Sequence, residues 1–102
     1  MTQTIANVPV DLDAEGYLTD PTQWTPDVAR EIAAEYDIDL TDKHFEVIEY
    51  LRSANADGAK LSIRRIGKSG IVDIKGFYDL FPGGPLKVSS RIAGIPKPAS
   101  CV

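Results

Sequence analysis

Cysteine is all but missing from this chain, with one copy, Cys101, among 102 residues. A lone thiol excludes an internal disulfide and suits a reducing compartment. Long apolar runs are missing too. Nothing approaches the roughly 20 residues that a membrane-spanning helix needs, so contact with a membrane is not expected. No basic flank precedes an apolar stretch near the N-terminus, so no secretory signal is expected and the reading is cytoplasmic. Histidine is equally scarce. His44 is the only one, with no cysteine or carboxylate at a metal-binding spacing, and a structural or solvated role is expected for it. Paired carboxylates and a Ser-His-Asp set do not stand out either, which argues against a self-contained hydrolase or metalloenzyme. Gly83-Gly84 lacks both the following Lys-Ser/Thr and the preceding strand of a phosphate-binding loop.

What is present describes one small domain, 1–102, without repeats or low-complexity segments. With 43% hydrophobic and 25% charged residues it can bury one modest core. The net charge of −4 hides an asymmetry: residues 1–51 carry 12 acids against Arg30 and Lys43, whereas residues 52–102 carry nine bases against Asp57, Asp73 and Asp79. Cys101 lies in the basic half, where a positive field favours a thiolate and attracts anionic partners. Some of that charge is expected to pair across the two halves on folding.

The chain reads as mainly α, of the α+β class. Ile5, Val8, Val10 and Leu12 around Asn7, with a turn signal at Asp13-Ala14-Glu15-Gly16, predict a small N-terminal β-hairpin in which Pro9 restricts any strand to an edge. Thr25-Pro26-Asp27 opens a helix with Val28, Ile32 and Tyr36 on one face, and Trp24 just before the cap reads as core. Thr41-Asp42 opens a second helix that turns Phe45, Ile48 and Leu51 inward. A third helix is expected from about Ala59 to Ile66, after the break at Asn55-Ala56-Asp57-Gly58. Asp73 to Phe81 and Pro85 to Ala93 give two more. The expected architecture is an orthogonal helical bundle with a helix-turn-helix-like centre and a flexible arm at 94–102.

That arm holds the chemistry. Gly94 fits the left-handed position just past a helix, and Pro96 and Pro98 then disfavour helix. Extended at ~3.1 Å per residue, the stretch from Gly94 to Cys101 reaches about 20 Å. A thiol so carried can enter another protein's pocket and act there as a nucleophile. Such a nucleophile needs an accessible sulfur and a positive surrounding. The candidate residues are Cys101 as the reacting group, with Arg64, Lys68, Arg91 and Lys97 facing anions or partners. Arg64 and Lys68 lie four apart and share a side if the helix continues to Lys68.

The phrases Phe81-Pro82-Gly83-Gly84-Pro85-Leu86-Lys87 and Arg91-Ile92-Ala93-Gly94-Ile95-Pro96-Lys97-Pro98, with a penultimate Cys101, resemble the C-terminus of the DsrC/TusE family of sulfur-carrier proteins. Gly16-Tyr17-Leu18, Asp20, Trp24 and the pair Arg64 and Lys68 extend the resemblance over nearly the whole chain. It implies a persulfide carried on the penultimate cysteine, with no other cofactor, and an anion-attracting surface at the Arg and Lys. Two departures matter. DsrC proper has a second cysteine eleven residues before the penultimate one, where this chain has Ser90, and many members have a longer loop where this chain has 67–76. The first makes the chain look TusE-like, a carrier in tRNA 2-thiouridine synthesis with TusBCD-like donors and a thiouridylase acceptor. The alternative is a single-cysteine DsrC paralogue of dissimilatory sulfur metabolism, with DsrEFH-like and sulfite-reductase-like partners. Either would be a sulfurtransferase-type carrier rather than a self-contained enzyme.

A weaker reading takes the helix-turn-helix at 42–66, with Lys60, Arg64 and Arg65, as a nucleic-acid-binding regulator. The overall acidity and the lack of a base-reading cluster of Asn, Gln and Arg argue against it.

Overall fold

A computed structural model of the chain describes residues 2–97. Strands β1 (Thr2–Ile5) and β2 (Val8–Asp11) pair antiparallel with Ile5 opposite Val8 and Thr2 opposite Asp11. Ala6 and Asn7 both take positive φ, the two-residue primed turn whose twist matches a hairpin. Pro9 is exposed opposite Thr4, tolerable because a two-stranded ribbon leaves one edge of each strand unpaired. An isolated bridge joins Leu12 to Leu18, and a 3-10 turn at Pro21–Gln23 leads into the helices.

Five α-helices follow: α1 (Pro26–Ala34), α2 (Asp42–Ala56), α3 (Ile63–Gly67), α4 (Ile74–Leu80) and α5 (Pro85–Ile92). Side-chain oxygens cap the first four. Thr25 accepts from the Val28 N–H, Thr41 from His44, Ser62 from Arg65 and Asp73 from Gly76. α5 instead starts on Pro85, whose missing N–H costs nothing at a helix start.

The third helix begins later than its spacing predicts. α2 ends in a Schellman turn, with Gly58 at positive φ donating to Asn55 O and Ala59 donating to Ala54 O. Residues 59–62 then run without helix until the Ser62 cap, and Leu61 is buried from that irregular segment. The helix-turn-helix expected over 42–66 therefore has only a five-residue second helix, beginning at Ile63.

One core joins these elements. Val10 and Leu18 from the N-terminal region meet Val28 and Ile32 of α1, Ile48 and Leu51 of α2, Phe77 and Phe81 at α4, and Leu86 and Ile92 of α5. The core includes Ile95, which is 1% exposed. α5 is thus enclosed on several sides, packing on α1, α2 and α4, whereas α3 lies chiefly against α4. No helix among the described residues is long and apolar enough to cross a membrane.

Candidate functional site

The last turn of α5 is fastened by side chains from other elements. A helix leaves its final carbonyls without internal partners, and here other elements supply the donors. The Trp24 indole N–H donates to Ile92 O at 2.8 Å. Arg52, from α2, donates to Ala93 O at 2.8 Å and to Pro21 O at 3.0 Å, so one guanidinium ties α5 to the 3-10 turn. The same guanidinium lies 4.3 Å from the centre of the Trp24 ring, a cation–π stack at the negative end of the α5 dipole. Burial lowers the Arg52 pKa from its ordinary value. An arginine stays charged through such a shift, which a lysine in this place would resist less well.

Gly94 completes the fastening. Its φ of +67° is left-handed, its N–H donates to Arg91 O, and the Ile95 N–H donates to Ser90 O, the two bonds of a Schellman end. A Cβ at Gly94 would lie within the van der Waals surface of Trp24, 2.7 Å from its Cγ. Ile95 then drops into the core. A free arm cannot begin at Gly94, because Gly94 and Ile95 are buried; exposure starts at Pro96. The rest of the expected arm, 98–102 with Cys101, lies outside the described residues.

The four cations expected around the thiol fall into two groups. Arg91 and Lys97 come together on the Glu15-Gly16 turn. Arg91 Nε donates to Gly16 O at 3.1 Å, its guanidinium hydrogen-bonds the Tyr36 hydroxyl, and it faces Glu35 at 3.6 Å. Lys97 Nζ lies 2.7 Å from Glu15 Oε1. These are the pairings across the charge asymmetry that composition suggested, and they neutralise the cations that make them. Arg64 and Lys68, by contrast, are exposed on and just past α3, and neither forms a hydrogen bond or ion pair through its side chain with any described residue. Lys68 is the C-cap residue of α3, so the two remain one turn apart on adjoining structure.

Ser90, standing where the resemblance places a second cysteine in DsrC, is fully buried, and its hydroxyl has no hydrogen-bond partner among the described residues. A shallow hollow of about 300 Å³ beside the root is lined by Pro21, Thr22, Arg52, Asn55, Ala56 and Ile95. It offers no nucleophile, acid or base of its own.

His44 is structural. Its Nδ1 accepts from the Thr41 N–H at 3.0 Å, which leaves the proton on Nε2 to donate to Leu80 O at 2.9 Å. The ring also meets Phe81 edge to face at 5.2 Å, so it pins the start of α2 to the end of α4. Sequence reasoning missed Trp24 and Arg52 as the residues that hold the root of the tail. Each lies far from its carbonyl along the chain, and no local pattern announces such a contact.

Residues 4–102 match the family described as "DsrC like protein". The chain is 38% identical to the "Sulfurtransferase TusE homolog" of Haemophilus influenzae, in an alignment covering 96% of this chain and 97% of that protein. It is similar in structure to the oxidized gamma-subunit of the dissimilatory sulfite reductase (DsrC) from Archaeoglobus fulgidus, with a TM-score of 0.80, 32% identity and full coverage of both chains. The crystal structure of dissimilatory sulfite reductase I (DsrI) gives a TM-score of 0.85 with 28% identity, again over 100% of both chains.

Proposed function

The chain belongs to the family of DsrC-like proteins, and on that basis we propose that it is a sulfur-relay protein that carries a persulfide on Cys101 between a donor and an acceptor protein. The observation that carries this is the 38% identity, over 96% of this chain, to a relative named "Sulfurtransferase TusE homolog", in a chain whose one thiol, Cys101, lies within the residues that match the family. The Cys101 thiolate attacks the outer sulfur of the donor's persulfide. A new S–S bond forms at Cys101, the donor's S–S bond breaks, and the donor leaves as a thiolate. The acceptor's thiolate then repeats the exchange on the outer sulfur at Cys101. No electrons are gained or lost overall, so no redox cofactor is required.

The described residues support the reading by giving the carrier a fixed base. Trp24, Arg52 and Gly94 hold the end of α5, so whatever Cys101 reaches is reached from a defined point. Incubation with a persulfidated donor protein should add one sulfur, about 32 Da, to the wild type. The Cys101→Ser variant should gain nothing. A wild type that stays unmodified with a competent donor would overturn the proposal.

Of the two pathways, TusE-like tRNA thiolation is favoured by Ser90, because a hydroxyl cannot take part in a disulfide or trisulfide step. Deleting the gene should then lower 2-thiouridine in tRNA. The likeness to DsrC and DsrI structures supports the second reading, a single-cysteine paralogue serving dissimilatory sulfur metabolism. Unchanged thiouridine after deletion would select it.

A further inference from the structure

Among the described residues, two large hydrophobic side chains stand exposed, and both are on α4. Ile74 is 47% exposed and Tyr78 is 46% exposed. They lie four apart and so on one face of the helix, while Phe77 between them in sequence is turned into the core and packs against Phe81. Single exposed hydrophobics are ordinary on a protein surface, but an adjacent pair on one turn, where the other large apolar side chains of the described residues are buried or half-buried, is a patch.

The setting of this patch is cationic. Residues 60–80 carry five bases against two acids. All four ion pairs of the described residues lie elsewhere, on Arg30, Lys43, Arg91 and Lys97. Arg64, Lys68 and Lys75 are exposed without a carboxylate partner. They are also close to the apolar pair. α3 lies against α4, a Cβ on Gly67 would be 2.5 Å from Ile74 Cγ1, and Lys68 is the next residue. Lys75 follows Ile74 directly on α4.

We propose that the α3–α4 face, with Ile74 and Tyr78 at its centre and Arg64, Lys68 and Lys75 around them, is a docking surface for an acidic protein partner that presents an apolar spot among carboxylates. Removing the two half-exposed side chains from water supplies the attraction, and tyrosine is a favoured residue at the centre of interfaces. The unpaired cations steer the partner and set the register without the desolvation of a buried ion pair. A patch of two anchors suits a contact that forms and releases, at the small end of interface sizes. Nucleic acid fits less well. With five residues, α3 is too short to present a recognition surface. The inference requires no step of the persulfide reading.

The test uses the full chain carrying Cys101→Ser, labelled with nitrogen-15, so that no result depends on sulfur transfer. It is titrated with an amphipathic helical peptide bearing leucine on one face and glutamate around it, with the same peptide carrying lysine for glutamate, and with single-stranded RNA of matched charge. The acidic peptide is expected to shift the amides of 63–68 and 74–80, to leave those of 2–23 in place, and to bind more weakly as salt is raised. Tyr78→Ser and the double change Arg64→Glu with Lys68→Glu should each weaken it about tenfold. Both sites are exposed, and an unchanged amide dispersion elsewhere certifies each variant's fold. Tighter binding of the RNA, shifts that map elsewhere, equal binding of the lysine peptide, or affinity indifferent to these substitutions would overturn the proposal.

Discussion

The two basic regions of this molecule use the same side chains to opposite ends. At the root of the tail, Arg52 and Arg91 are half-buried and saturated with carbonyls, a tyrosine hydroxyl and a carboxylate, and Lys97 sits on Glu15. At the α3–α4 face, Arg64, Lys68 and Lys75 stand in water with no carboxylate partner. The first group is structural and adds little free positive field; the second adds field and little structure. Positive charge counted along a chain therefore says nothing about availability until each partner is known. Arg91 and Lys97, nearer to Cys101 in sequence, are the ones already engaged.

The contrast can be broken most severely at Gly94. Gly94→Ala places a side chain in left-handed backbone and drives it into Trp24. A loss of about 3 kcal/mol is expected from the two effects together. For a domain of this size that lowers the melting temperature by more than 10 °C, on the order of 4–8 °C per kcal/mol. Melting at the wild-type temperature would mean that the root is not held as described.

Arg52→Ala should follow, at about 2–3 kcal/mol, because it strips donors from two carbonyls. Arg64→Ala should stay within about 0.5 kcal/mol of the wild type, as an exposed change with no partner. Chemical denaturation of the two variants compares the regions directly. Equal losses would erase the distinction.

Ser90→Ala sharpens the picture from the other side. The hydroxyl is buried without a partner, so deleting it should be neutral or stabilising by about 1 kcal/mol. A clear destabilisation would show that the hydroxyl has a partner.

The smallest effect concerns acid. Hydrogen bonds from Thr2 and Gln23 lower the Asp11 pKa from its ordinary value. The ionised form is the one favoured by folding, so its contribution is present above the ordinary carboxylate pKa and is lost as pH falls through the lower folded value. Asp11→Asn should cost a little stability at neutral pH, flatten that part of the acid limb of a stability–pH curve, and converge with the wild type at the acid end.

Much of the fold was legible because its signals are local. Thr25-Pro26, Thr41-Asp42, Asp73 and Pro85 each mark a helix start that the structure uses, and Gly94 marks an end. The third helix was misplaced because Ala59 to Leu61 carry helix-compatible residues, and only the Ser62 hydroxyl, bonding to the Arg65 N–H, sets the true start. The family could be read from the wording of the tail. The fastening of its root could not, since the hydrogen bond from Trp24 to Ile92 and that from Arg52 to Ala93 join residues distant in the chain. Nor could the division of the cations, which depends on where Glu15 and Glu35 come to lie.

The central claim is that sulfur passes through Cys101, and a chase of labelled sulfur tests it most directly. A donor loaded with sulfur-35 persulfide is mixed with the full chain, and an acceptor protein is added after the donor has been removed. The account predicts label first on the peptide containing Cys101 and then on an acceptor cysteine, with neither step in Cys101→Ser. Label that reaches the acceptor equally well through the serine variant would contradict it.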